Sequence, residues 1–119
     1  MVNFGSLQDG MIRGTKFDRD ADRDLASLLK AFSPEKVKKI LRSLGAEEFP
    51  GRGDLCVKIP FLPRYPLFLN IWFADEEFPA AGKLLTDASA DHYLTIEDAV
   101  TAGTLVLELL RPEKARREI

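Results

Sequence analysis

The chain has 119 residues, enough for one domain, since domains run to roughly 100–200 residues and nothing in it argues for two. A hydrophobic share of 45% beside 30% charged residues excludes a disordered tail, a collagen-like repeat and a low-complexity linker. The single cysteine, Cys56, excludes an internal disulfide framework, and a net charge of −2 offers no general attraction to nucleic acid or acidic lipid.

Residues 1–19 scatter Phe4, Leu7, Met11, Ile12 and Phe17 among Gly5, Gly10 and Gly14 without keeping a helical or strand period, which predicts an irregular or short-strand arm. The start has neither the basic residues nor the apolar run of about 7–15 residues that a signal peptide needs, so a cytoplasmic setting is expected. Leu25, Leu28, Leu29 and Phe32 then fall at i, i+3, i+4 and i+7 behind Asp20, Asp22 and Asp24, which predicts a helix over 20–32 with acids at its positive end. Ser33-Pro34 ends that helix and opens another, with Ser33 as N-cap and Pro34 at the first helical position. Val37, Ile40, Leu41 and Leu44 give its buried stripe, and Gly45 closes it.

Residues 46–54 hold Pro50, Gly51 and Gly53 and read as a loop. The tripeptide Arg52-Gly53-Asp54 matches a cell-adhesion signal, but three residues recur by chance and no export signal accompanies them. Leu55, Val57 and Ile59 alternate with Cys56 and Lys58 as a half-buried strand closed by Pro60. After Tyr65-Pro66, the residues Leu67, Leu69, Ile71 and Phe73 take one face of a second strand and Phe68, Asn70 and Trp72 the other. Both faces are mostly apolar, so this strand is expected to be covered on both sides, and a second copy of the chain is one source of cover. A third strand is expected over Lys83 to Thr86. Thr95-Ile96-Glu97-Asp98 resembles a capping box opening a helix through Leu110, and residues 112–119 form a charged tail. The longest apolar stretches are interrupted by polar residues and fall short of the about 20 residues that cross a membrane. The order predicts a single α+β domain over 1–119: two N-terminal helices, a small antiparallel sheet of about three strands, and a C-terminal helix packed on it.

Chemistry concentrates between Ala74 and Asp98. Asp75, Glu76, Glu77, Asp87, Asp91, Glu97 and Asp98 stand there against one base, Lys83, with the only histidine, His92, beside Tyr93. An imidazole next to carboxylates suits a general base or a metal ligand, because the carboxylate fixes its tautomer and raises its basicity. Structurally, the same acids are ordinary helix-start electrostatics and solvated loop residues. Asp87, Asp91 and Glu97 lack the spacing of a calcium loop, and one histidine with one cysteine does not make a zinc site. Ser89, three residues before His92, lacks a nucleophile elbow and suits a local turn; Cys56, within a strand, reads as a structural thiol. Lys36, Lys38, Lys39 and Arg42 form the polar side of the second helix and are read as solvated, not as a nucleic-acid surface.

The run Asp75-Glu-Glu-Phe-Pro-Ala80, followed by Leu84-Leu-Thr-Asp-Ala-Ser-Ala-Asp-His-Tyr-Leu-Thr-Ile-Glu-Asp98, resembles the C-terminal part of a family of uncharacterised domains, a domain of unknown function from anaerobic bacteria and archaea. The similarity extends back through Pro60, Pro66 and Trp72 and more weakly into residues 1–48. Some members are joined to a four-cysteine iron–sulfur module of the kind found with corrinoid-dependent proteins. The resemblance therefore implies an iron–sulfur or corrinoid-related partner in anaerobic redox or one-carbon metabolism. This chain lacks the module's cysteines, so cluster binding does not carry over, and it resembles a partial version of a longer domain.

The expectation is a cytoplasmic module binding a small ligand or partner protein through Asp75, Glu76, Glu77, Asp87, Ser89, His92, Tyr93 and Glu97, with no membrane or nucleic-acid contact. The alternative is an enzyme using His92 as general base with Asp91 or Asp87 and a divalent cation. No residue is assigned to catalysis or to a metal, and the sequence names no cofactor. A homodimer is expected from the two-sided strand.

Overall fold

Residues 1–62, 65–87 and 95–115 are described in the computed structural model. Helix α1 spans Arg13–Ala31, starting well before the acidic run, because its apolar stripe reaches back through Leu28, Leu25, Ala21 and Phe17, all buried. Asp20, Asp22 and Asp24 therefore lie inside the helix, and its first turn holds no acid. A Cβ on Gly14 would run into the backbone carbonyl of Phe4, so the glycine lets the N-terminal segment lie directly on α1. There Phe4–Ser6 make a short 3-10 turn whose Phe4 and Gly5 N–H groups donate to the two carboxylate oxygens of Asp18, at 3.0 and 2.8 Å. Just before it, Val2 exchanges backbone hydrogen bonds with Thr86 at 2.7 and 2.8 Å. An irregular arm thus exists up to Ile12, and helix replaces it from Arg13.

Helix α2, Pro34–Ser43, keeps its expected limits. Ser33 Oγ accepts from the Lys36 N–H at 3.4 Å, Pro34 opens the helix, and Gly45 takes φ +82°. Four strands follow instead of about three: β1 Glu47–Glu48, β2 Leu55–Leu62, β3 Tyr65–Trp72 and β4 Ala81–Thr86. They pair in that order, every neighbour antiparallel. β1 lies in the stretch that reads as a loop, since two residues are too short to show a period. β2 runs past Pro60 by breaking register between Ile59 and Leu62, which accommodates the donor that proline lacks.

Registers Val57↔Leu69↔Leu84 and Leu55↔Ile71↔Gly82 place these residues, except Gly82, in the hydrophobic core beneath the helices. α1 packs along β4, where Gly82 admits Leu25, and α2 brings Leu41 to Leu55 and Val57. Helix α3, Ile96–Leu109, opens on Thr95, whose Oγ1 accepts from the Asp98 N–H at 3.2 Å. It packs chiefly on α1 and the N-terminal turn, with Gly103 facing the Phe17 ring. A short helix α4, Pro112–Ala115, begins the stretch that reads as a charged tail.

The other sheet face carries Cys56↔Asn70↔Lys83, Lys58↔Phe68↔Leu85 and Trp72↔Ala81. The chain's own loop of residues 49–54 folds over part of it. Phe49 stacks on Phe68 with ring centroids 5.0 Å apart, Gly51 lies against the Cys56 side chain, and Gly53, at φ +90°, lies beside Trp72. Some of the cover expected from outside the chain therefore comes from within it.

Candidate functional site

The connection between β3 and β4 carries the first cluster of candidate residues. Asp75 Oδ1 accepts hydrogen bonds from the N–H groups of Glu77 at 2.8 Å and Phe78 at 2.7 Å, and the Asp75 N–H donates to the Phe78 carbonyl at 3.0 Å. The turn is closed on itself by one short side chain. The Phe78 N–H, and after it the Glu77 N–H, hold the Asp75 carboxyl below its ordinary range by stabilising the ionised form. Glu76 and Glu77 are exposed, and Phe78 stands 67% exposed at the head of the turn. Below it, the Phe73 N–H donates to Asp54 Oδ2 at 2.7 Å and the Asp54 N–H to the Ile71 carbonyl at 2.8 Å, anchoring the tip to the start of β2.

Of the remaining candidates, Asp87 and Glu97 are described, and both lie away from this turn. Asp87 is half-buried just past the opposite end of β4. At about 3.4 Å per residue, the six steps from Ala81 to Asp87 cover roughly 20 Å, so β4 carries Asp87 to the end of the sheet away from Asp75, Glu76 and Glu77. Glu97 is exposed on the first turn of α3 and pairs with Arg13 at 3.9 Å. Ser89, His92 and Tyr93, with Asp91, lie outside the described residues. Among the described residues no group of three His, Cys, Asp or Glu side chains is placed to hold a metal ion.

A second locality emerges only in three dimensions. Asn70 is 3% exposed, and among the described residues its Oδ1 has no hydrogen-bond donor. On β2 it faces Cys56, a buried thiol whose pKa is pushed up by desolvation, so it stays protonated and weakly nucleophilic, in keeping with a structural thiol. At the margin of the covering loop is a depression of about 470 Å³ lined by Glu48, Phe49, Pro50, Gly51 and Gly53 to Cys56. The sequence signal for it is one amide side chain in an otherwise apolar strand, which alone does not tell a buried acceptor from an edge residue.

A wholly antiparallel sheet with α1 and α2 against one face and α3 packed on α1, the helices and strands segregated along the chain, defines an α+β domain. Residues 1–108 match the family described as a domain of unknown function (DUF3786), and the chain belongs to that family. The match includes both N-terminal helices, so the kinship is not confined to the C-terminal motif. No curated protein and no solved structure matches the chain. Among the described residues no helix is long and apolar enough to cross a membrane.

Proposed function

We propose that the chain is a cytoplasmic partner-binding module and that the hairpin tip Asp75 to Phe78 is its contact point. The observation that supports this is the Phe78 ring, held in water at the head of a turn that Asp75 has already locked. Exposing an aromatic ring forgoes the gain of burying it, and a ring on a pre-closed turn loses little freedom when a partner covers it. Glu76 and Glu77 beside it favour a partner whose apolar pocket is rimmed by basic residues. The resemblance supplies the class to test first, an iron–sulfur or corrinoid-related protein of anaerobic metabolism.

Co-purification from the native host, with the partner identified by mass, tests the reading. Wild type and Met11→Ser, which alters an apolar residue 82% exposed at another place, should recover the same partner. Phe78→Ser and Glu76→Lys/Glu77→Lys should lose it. Equal recovery by all the variants contradicts the assignment.

A further inference from the structure

We propose that the helix-free face of the sheet is a binding site for an uncharged aromatic molecule carrying an N–H donor, which enters beneath the loop of residues 49–54 and gives its hydrogen to Asn70 Oδ1. This site is separate from the hairpin tip.

The first support is the acceptor itself. Buried side-chain oxygens in native proteins nearly always have a donor, and Asn70 Oδ1 has none among the described residues. Its surroundings narrow what could supply one. Phe68 and Trp72 precede and follow it on the same face of β3, Phe49 stacks on Phe68, and Cys56 and Lys83 are its neighbours across the strands. Cys56 is a neutral thiol, and Lys83 directs its ammonium to Asp22 of α1 at 3.9 Å. Among the described residues neither cross-strand neighbour of Asn70 offers a free charge, and the charged groups nearby, Lys58 beside Phe68 and Glu48 and Asp54 on the depression, stand away from the acceptor, which favours a neutral donor. A lone water is a poor occupant, because buried waters are held by two to four polar groups and this wall offers one orphaned oxygen among rings and a thiol. A flat ring with a single N–H satisfies the oxygen and lies against the aromatic side chains.

The second support is the loop. A Cβ on Gly51 would stand 2.5 Å from the Cys56 sulfur, and one on Gly53 3.3 Å from Trp72 Cε2. Bare backbone therefore closes this face over Cys56 and Trp72, while the Phe49 ring covers Phe68, and the proposed ligand enters by lifting this loop. The depression of about 470 Å³ at the loop's margin has Phe49 and Cys56 among its lining residues and is large enough for a one-ring molecule.

Benzamide and N,N-dimethylbenzamide, which differ in having and lacking the N–H, are the probes. Trp72 is the only tryptophan, so its fluorescence reports this face directly, and the amide resonances of Gly51, Gly53 and Cys56 locate the event. Benzamide should shift all of these saturably, and the dimethyl compound should bind at least about tenfold more weakly. Asn70→Leu should fold, since removing an orphaned acceptor costs little, and should lose benzamide by a similar factor. The comparison of the two compounds on wild type stands even where that variant fails to fold. No saturable shift, equal binding of the two compounds, or a folded Asn70→Leu that binds like wild type would each overturn the proposal.

Discussion

Asp75 turns three backbone groups into a fixed turn, and that makes its protonation visible. Its carboxyl is stabilised in the ionised form, so its folded pKa lies below the ordinary 3.8. The support it gives the turn is complete above 3.8 and is lost only as the pH falls through the lower folded value. Amide shifts of Glu77 and Phe78 followed by NMR should therefore titrate together with a midpoint below 3.8; a midpoint at or above it contradicts the hydrogen bonding described. Asp75→Ala should speed hydrogen exchange at both amides, whereas Asp75→Asn, which keeps an acceptor, should preserve most of the protection. The acidity of this segment is legible in the sequence, but its division of labour is not. Nothing in Asp-Glu-Glu tells which acid folds back onto the chain and which two face water. Asn70 is hidden for a similar reason, since an unpaired oxygen is a property of its neighbours in space.

At the scale of elements, stripes and caps are the legible part. Ser33 and Thr95 stand at helix starts as their spacing predicts, and replacing Thr95 by alanine should cost about 1 kcal/mol, read from a denaturant melt. What escapes is structure that depends on close approach. Gly14 reads as a breaker, yet α1 passes through it because the Phe4 carbonyl occupies the space of a side chain. Alanine there adds about 1 kcal/mol of helix propensity, but the obstacle is backbone and cannot swing away. We expect a net loss of about 1–3 kcal/mol. A stabilised Gly14→Ala protein would mean that the N-terminal turn does not sit on α1. β1 is invisible beforehand because its two residues acquire a strand's hydrogen bonds only when β2 is beside them.

Across the whole molecule, the fold class follows from segment order, while the described candidates Asp75, Glu76 and Glu77 stand at one end of β4 and Asp87 at the other. The stretch from Asp75 to Asp87, compact in sequence, is spread by β4, which carries the chain from the tip to the other end of the sheet. Packing and function should therefore separate cleanly. Leu69, fully buried at the centre of the sheet, should cost about 2–5 kcal/mol when cut to alanine. Phe78→Ser should leave the melting temperature unchanged, because the ring rests on solvent. A comparable loss from both would make Phe78 part of the core and leave the tip without a role in recognition.

The most direct measurement is photocrosslinking in the native host, with a photoreactive side chain at position 78 in one protein and at position 11 in another. Met11 is the more exposed of the two and so controls for exposure alone. The account predicts one discrete adduct from position 78, of the same partner that co-purifies, and none from position 11. No adduct at 78, or the same adducts from both positions, would contradict it.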